Sequence, residues 1–400
     1  MSNYSLPALT EEFRKYFSGQ FPNMLETLRE LVEMESFSFE GAHVDAVGTR
    51  VMDWMDEAGF RIQRLDRPRS MNPLASSLGH AVTARTHSRE EGSGIAVIAH
   101  MDTVFPASTI VKRPFRIEGD YAYGPGVADM KGGITIALYT ARFLKESGLL
   151  RVPLTLFFSP EEELCSPEIY PLFKQELADA KAVFSVEPGF PGGGVTVERF
   201  GCGDLRLCVA GKASHAARDY RSGASATLEL ARQMLRIDAF VNVDEGIIVN
   251  TGKIRGGESS CTVADYAEGE VFISFKSLED GRSLLKALRD TVAEAQTPGT
   301  ISRLQGDIGL YPMYETEGTK RLYSFAEKAA VLAGTPIFAN RTNGSSDAGY
   351  CSTMLGIPTL CSMGPEGTGL HSAEEKLDIS TIVPRCIILA LSILQAQEIC

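Results

Sequence analysis

Apolar runs and polar gaps alternate along the 400-residue chain, and they predict strands and helices in turn. The clearest run is Gly94-Ile95-Ala96-Val97-Ile98-Ala99-His100-Met101-Asp102, where an apolar stretch ends in a histidine and an aspartate two positions apart. A short, uninterrupted apolar run predicts a strand buried on both faces in the middle of a parallel sheet. Alternate side chains share a face, so His100 and Asp102 sit side by side at its carboxyl end. Open α/β sheets place their ligand sites there. Two further runs, 152–158 and 183–186, predict strands of the same kind. The first stops at Ser159-Pro160-Glu161-Glu162-Glu163 and the second at Glu187-Pro188-Gly189.

Helical spacing fills the intervals. Thr10-Glu11-Glu12-Phe13 predicts one helix start, and Pro22 the opening of a second helix with Met24, Leu25, Leu28, Leu31 and Val32 on its apolar face. Further helices are predicted over about 46–58, closed by Gly59, and over about 134–146. A strand at 81–84 lies among polar loops, with His80 and His87 in or beside them and facing solvent. Strand and helix in alternation predict an α/β fold: a three-layer catalytic domain around a mixed or parallel sheet. Past Gly192-Gly193-Gly194 the pattern changes to alternating β segments, 195–210 and 247–275, with helices following at about 224–236 and 282–294. This predicts an inserted α+β domain. The expected division is therefore 1–193 and 311–400 for the catalytic domain and 194–310 for the insertion. In the returning part, a helix is expected at 320–333, then a loop 341–347 leading into a helix, and an amphipathic helix at about 379–396.

Composition narrows the function. The chain is 44% apolar and 22% charged, with a net charge of −12. That balance argues against nucleic acid or anionic membranes as partners, since both are held by basic patches. No apolar stretch is expected to reach the roughly 18 residues that cross a bilayer. The first residues show no basic region followed by an apolar core, so no secretory signal is expected. The eight cysteines are scattered and none is spaced C-x-x-C, which fits a cytoplasmic chain with reduced thiols and argues against a thiolate zinc site.

Several motifs bear chemistry. Glycines and a proline surround Asp129 in Tyr123-Gly124-Pro125-Gly126-Val127-Ala128-Asp129-Met130-Lys131-Gly132-Gly133. That composition suits either a strained turn presenting the carboxylate or a turn whose aspartate caps the next helix. Consecutive glutamates after Pro160 suit either a solvated turn or a bound cation. Gly364-Pro365-Glu366-Gly367-Thr368-Gly369-Leu370-His371 is a glycine-rich loop that ends in histidine. Together His100, Asp129, Glu163, Glu187 and His371 offer two imidazoles and three carboxylates. Such a set suits two divalent metals bridged by one carboxylate, with glycine-backed Asp129 the natural bridge. Glu162, beside Glu163 but pointing the other way, suits a general base.

Taken with Gly211-Lys212-Ala213-Ser214-His215, these motifs resemble, nearly end to end, the dinuclear zinc aminoacylase/carboxypeptidase family. That family includes glutamate carboxypeptidase, acetylornithine deacetylase and succinyl-diaminopimelate desuccinylase. Arg341-Thr342 with Gly344 and Asp347 resembles the glutamate carboxypeptidase branch. The resemblance implies that His100 and Glu187 bind one zinc, Glu163 and His371 the other, and Asp129 both, with cobalt or manganese as alternative metals. It implies that Asp102 orients His100 and that Glu162 takes a proton from a metal-bridging water and passes it to the departing amine. It further implies that His215 stabilises the oxyanion from the partner subunit of a homodimer formed through the inserted lid domain. Arg341, with Gly344, would hold a substrate carboxylate. The sequence departs from the family where an asparagine is usual, at Cys261, and where an arginine is usual, at Ser274; Ala264 replaces a proline. Cys261 is a poorer polar partner for substrate than asparagine. The implied activity is hydrolysis of an amide next to a carboxylate-bearing amino acid, the substrate being a small peptide or N-acyl amino acid. N-acyl-amino-acid deacylase and dipeptidase chemistry are alternatives on the same site, and a non-catalytic binding protein is an alternative of another class.

Overall fold

The computed structural model describes residues 6–67 and 78–399. Residues 1–5, part of the stretch read for a signal, and 68–77, the start of the polar loop after Arg67, lie outside the described residues, as does Cys400. The chain divides into two compact units. The first runs to Glu198 and takes up Met313–Arg341 and Tyr350–Cys400; the second is Arg199–Pro312 with Thr342–Gly349. The first changeover lies beyond residue 193 because the strand Gly194–Arg199 pairs beside Phe338–Thr342. The 342–349 stretch, expected with the catalytic domain, groups with the insertion instead.

In the first unit a six-stranded sheet has the order Arg61–Arg64, Val82–Arg85, Leu154–Ser159, Ile95–His100, Ala182–Ser185, Thr359–Leu360. Val82–Arg85 alone runs against the other five strands, pairing antiparallel with both neighbours, while the last four pair parallel, so the sheet is mixed. Both faces are covered. Leu154, Leu156 and Phe158 join the large core cluster, whereas Phe157, one position out of phase, meets Phe173 of the helix Tyr170–Leu177 with ring centroids 4.3 Å apart. Helices on both faces of a period-2 sheet make the expected three layers.

Two helices differ from expectation. Leu6–Glu33 is one helix with Pro22 inside it. An internal proline costs about 3 kcal/mol, but Phe13, Phe17, Met24, Leu28 and Leu31 stay on one buried face across it. Each contributes about 1.5–3 kcal/mol when fully buried, so continuity wins. The closing helix, Ile382–Ala396, is buried nearly all round and not amphipathic. With its flanks, Ile379–Ile399 is long and apolar enough to cross a membrane by length and composition, contrary to expectation, but most of it packs inside the unit. A helix apolar on every side is a core helix. It carries a fully buried arginine, Arg385, whose Nη1 donates to Ser362 O at 3.3 Å and Nη2 to Gly194 O at 3.4 Å.

The second unit is a four-stranded antiparallel sheet ordered Ile248–Gly256, Tyr266–Phe275, Gly201–Ala210, Ile301–Gly306. Leu205, Leu207, Val209, Val271 and Ile273 point from it into a core shared with the helices Ala226–Asp238 and Leu278–Ala293. Serine caps start both helices: Ser225 Oγ accepts Leu228 N–H and Ser277 Oγ accepts Asp280 N–H.

Candidate metal centre

Parallel strands in register deliver three of the candidate ligands to one end of the first unit's sheet. His100 ends its strand opposite Ser159, and Val186 N–H donates to Ile98 O at 3.1 Å, so the Glu161–Glu163 turn and Glu187 emerge on either side of His100. The His100 ring is fully buried and held at both nitrogens. Nδ1 lies 3.0 Å from Asp102 O and 3.4 Å from its Oδ1, while Nε2 lies 3.1 Å from Asp129 Oδ1 and 3.9 Å from Glu187 Oε1.

Asp129 reaches this point from an irregular turn, Val127–Gly132, entered through Gly126 at φ 71° and leaving helical geometry at Asp129 itself (φ −113°, ψ 92°). That left-handed backbone favours glycine, and a Cβ there would stand 2.5 Å from Thr103 Cγ2. The presenting turn, and not a helix cap, is what forms. Asp129 gives one oxygen to each imidazole: Oδ1 faces His100 Nε2 and Oδ2 lies 3.3 Å from His371 Nε2. His371 Nε2 also lies 3.1 Å from Glu163 Oε2. Half exposed and itself in the left-handed region at φ 59°, His371 closes the cluster from its loop. The result is two ligand groups, His100-Asp129-Glu187 and Asp129-Glu163-His371, with donor atoms within 4.8 Å of one another in each. Asp129 belongs to both.

Charge explains what such a cluster needs. Burial pushes the Glu163 carboxyl up to about 7, and the neighbouring Asp129 charge adds to it. Contacts with Asp129 and Glu163 draw His371 up to about 10. Burial alone would lower His100, yet its bonds to Asp102 and Asp129 leave it well above the ordinary histidine value. Burial alone would raise Asp129, yet the two imidazoles hold it below the ordinary range. The site is thus short of positive charge. Glu163 Oε1 is buried without a hydrogen-bond partner, a costly state for a carboxylate oxygen. Imidazole nitrogens and carboxylate oxygens in two groups with one shared carboxylate fit a pair of divalent cations such as zinc.

Asp102 does more than the sequence indicated. Its carboxylate accepts the backbone N–H of Glu162 at 3.1 Å and of Glu163 at 3.2 Å, and the hydroxyl of Ser38 at 2.7 Å. Glu162 is buried in the same turn. Next to it, buried Glu161 is ion-paired with Arg67 at 2.5 Å. Glu375 accepts three backbone N–H bonds from the Asp129 turn. Ser38, Arg67 and Glu375 were not singled out from sequence. Their contacts span long sequence separations that no local pattern encodes; the one available signal was an acid shortly after His371.

The remaining candidates stand outside this cluster. His215, Cys261 and Gly344 belong to the second unit. His215 is exposed, and its Nδ1 accepts the backbone N–H groups of Ala217 and Arg218 at 3.2 and 3.3 Å. With Nδ1 an acceptor, the neutral ring carries its hydrogen on Nε2. Ser214–His215 pairs with Thr262–Val263, which brings Cys261 alongside: its carbonyl accepts Ala216 N–H, and its Sγ lies 3.1 Å from Ser259 Oγ. Gly344 O accepts a bond from Arg199 Nη1 at 3.1 Å. Ser274 is buried in its strand. Arg341 lies on the strand Phe338–Thr342, not in a loop, and its guanidinium is ion-paired with Glu315.

Comparison with known proteins agrees with this geometry. The model of peptidase family M20/M25/M40 matches residues 96–395. The chain is 29% identical over 376 residues to carboxypeptidase G2 of Pseudomonas sp. (strain RS-16), covering 92% of this chain and 88% of that one. In fold it matches an M20 family metallo-carboxypeptidase of Sulfolobus solfataricus with a TM-score of 0.72 at 16% identity, over 94% of this chain and 99% of the other. It also matches a dinuclear metal-binding M20 peptidase of Bacillus subtilis with a TM-score of 0.64 at 16% identity, over 96% and 100%. At those identities the two structures establish a shared fold and nothing finer. The chain belongs to peptidase family M20/M25/M40 and is a metal-dependent peptidase or amidohydrolase.

Proposed function

We propose that the protein is a carboxypeptidase-like hydrolase, cleaving an amide next to a carboxylate-bearing amino acid at a two-zinc centre. The observation that carries this reading is Asp129, whose two oxygens face two different imidazoles, each with a further carboxylate beside it. His100 and Glu187 would hold one ion, Glu163 and His371 the other, and Asp129 both. Bound zinc lowers the pKa of water and polarises a carbonyl. Glu162 takes the proton of the attacking water and delivers it to the departing amine. Asp102 supports both the His100 ring and the Glu162–Glu163 turn. His215 Nε2–H is a ready hydrogen-bond donor for a developing oxyanion.

Arg341 is the proposed substrate-carboxylate clamp, aided by Gly344. In the structure its Nη2 is ion-paired with Glu315, so a substrate carboxylate would take the place of that partner. Cys261, on the segment paired beside His215, is proposed as a weak polar contact for a substrate carboxylate or oxyanion. A homodimer through the inserted domain is the proposed assembly. Its support is the edge strand Ile248–Gly256 with the neighbouring helix Ala226–Asp238, where Leu235 and Ile254 are largely exposed beside Leu230, Met234 and Val249.

Zinc-loaded protein assayed on dipeptides and N-acyl amino acids with a free C-terminal carboxylate, each beside its C-terminal amide, tests the function. Turnover confined to substrates with the free carboxylate, and abolished in Glu162→Gln with zinc content unchanged, is expected. Equal turnover by Glu162→Gln contradicts the assigned base, and turnover of N-acyl amino acids alone shifts the reading to a deacylase.

A further inference from the structure

We propose that Glu375 is a positioning residue for the metal centre, fixing the backbone that presents Asp129. Glu375 Oε2 accepts Gly126 N–H at 2.9 Å, and Oε1 accepts Ala128 N–H at 2.9 Å and Asp129 N–H at 3.0 Å. The residue is 2% exposed, so these bonds form away from water. Gly126 takes a left-handed conformation, and the turn that follows leaves its N–H groups without the acceptors a regular helix supplies. Glu375 gathers three of them with charge-assisted bonds.

The choice of a carboxylate is informative. Asp129, Glu163 and Glu187 already crowd the neighbourhood with negative charge. A neutral glutamine would answer some of the N–H groups without adding repulsion. An extra buried anion is tolerable where cations sit opposite it. The only lysine in the turn, Lys131, is itself buried, donates to Met34 O at 2.7 Å and has Glu375 as its first charge partner, so it offsets part of that anion. Glu375 also follows His371 in the same segment. One stretch of chain therefore brings an imidazole to Asp129 Oδ2 and an acceptor to Asp129 N–H. Outer acceptors of this kind change metal affinity without touching the metal.

This inference rests on the two-metal reading above, so its test measures metal binding directly. Zinc affinity of Glu375→Gln, Glu375→Asp and the neighbouring exposed control Glu374→Gln is measured by competition with a chelating dye, with circular dichroism confirming the fold. The visible spectrum of cobalt-loaded protein and steady-state kinetics accompany it. Glu375→Gln is expected to weaken zinc binding about 10–100-fold and to alter the cobalt spectrum. Its KM should stay within about twofold, with kcat partly restored by excess zinc, and Glu374→Gln should match the wild type. A folded Glu375→Gln with wild-type zinc affinity and cobalt spectrum overturns the proposal, even if it melts earlier. Should Glu375→Gln fail to fold, Glu375→Asp decides: weakened zinc binding supports the role, and unchanged binding overturns it. A wild-type chain that binds no zinc overturns the two-metal reading and this inference together.

Discussion

Asp102 Oδ1 accepts the backbone N–H of Glu162 at 3.1 Å, so the residue behind the His100 ring also holds the proposed base. Glu162 N–H, Glu163 N–H and the Ser38 hydroxyl are all donors, and an ionised carboxylate is the one side chain that only accepts. Asp102→Asn keeps the shape but sets an NH2 group against these donors. Zinc affinity is expected to fall about 10–100-fold, and kcat with saturating zinc by a further factor of about 100, because the base turn loosens as well as the ligand. Calorimetric zinc titration beside steady-state kinetics separates the two. A variant that loses only zinc affinity would confine Asp102 to its histidine.

The Arg67–Glu161 pair braces the same turn from the other side. Both side chains are nearly or fully out of water, and burial still pushes the Glu161 carboxyl up to about 7 despite the guanidinium. Removing one partner leaves an uncompensated buried group. Arg67→Met is expected to cost about 3–5 kcal/mol, with most of it recovered in the double variant with Glu161→Gln. Denaturant unfolding of the two singles and the double checks this, and additive losses would contradict it.

Cys165, in the turn after Glu163, has φ 48° and ψ 39°. A side chain in the left-handed region costs roughly 1–2 kcal/mol where glycine is unstrained. Cys165→Gly, whose unfolded state is floppier, is expected to gain about 0.5–1 kcal/mol net in stability. Thermal melts at matched zinc content give the sign.

Burial pushes the Cys386 thiol up to about 12. The folded pKa lies above the unfolded one, so this group's contribution to stability is complete below the ordinary thiol value. It is lost as pH rises through about 9 toward 12. At pH 8 Cys386 stays a thiol and resists alkylation, whereas exposed Cys261 reacts. Peptide mapping after brief iodoacetamide treatment, with and without denaturant, tests the contrast.

Much of the site was legible because the ligands sit where local patterns end. His100 closes an uninterrupted apolar run, Glu187 a short run broken only by Ser185, and glycine density marks Asp129. What stayed hidden depends on contacts distant in sequence. Nothing near Glu375 says that it takes N–H groups from residues 126–129, and nothing near Arg67 points to Glu161. The single helix through Pro22 was missed for a related reason: a local breaker signal was outweighed by burial of Phe13 and Phe17 against Phe143, at 4.7 and 5.2 Å between centroids. The closing helix is expected to be amphipathic, yet its own composition already carries the correction: Ile379–Ile399 is apolar on nearly every side, as a core helix is. Arg341 was placed by its motif, while Glu315, which it pairs with, comes from a segment that carried no signal.

The central claim is a pair of zinc ions sharing Asp129. Anomalous diffraction at the zinc edge from zinc-loaded crystals tests it most directly. Two peaks about 3.5–4 Å apart, one beside His100 and Glu187, the other beside Glu163 and His371, with Asp129 between them, are the expected result. A single peak, or two peaks that do not share Asp129, would contradict the account.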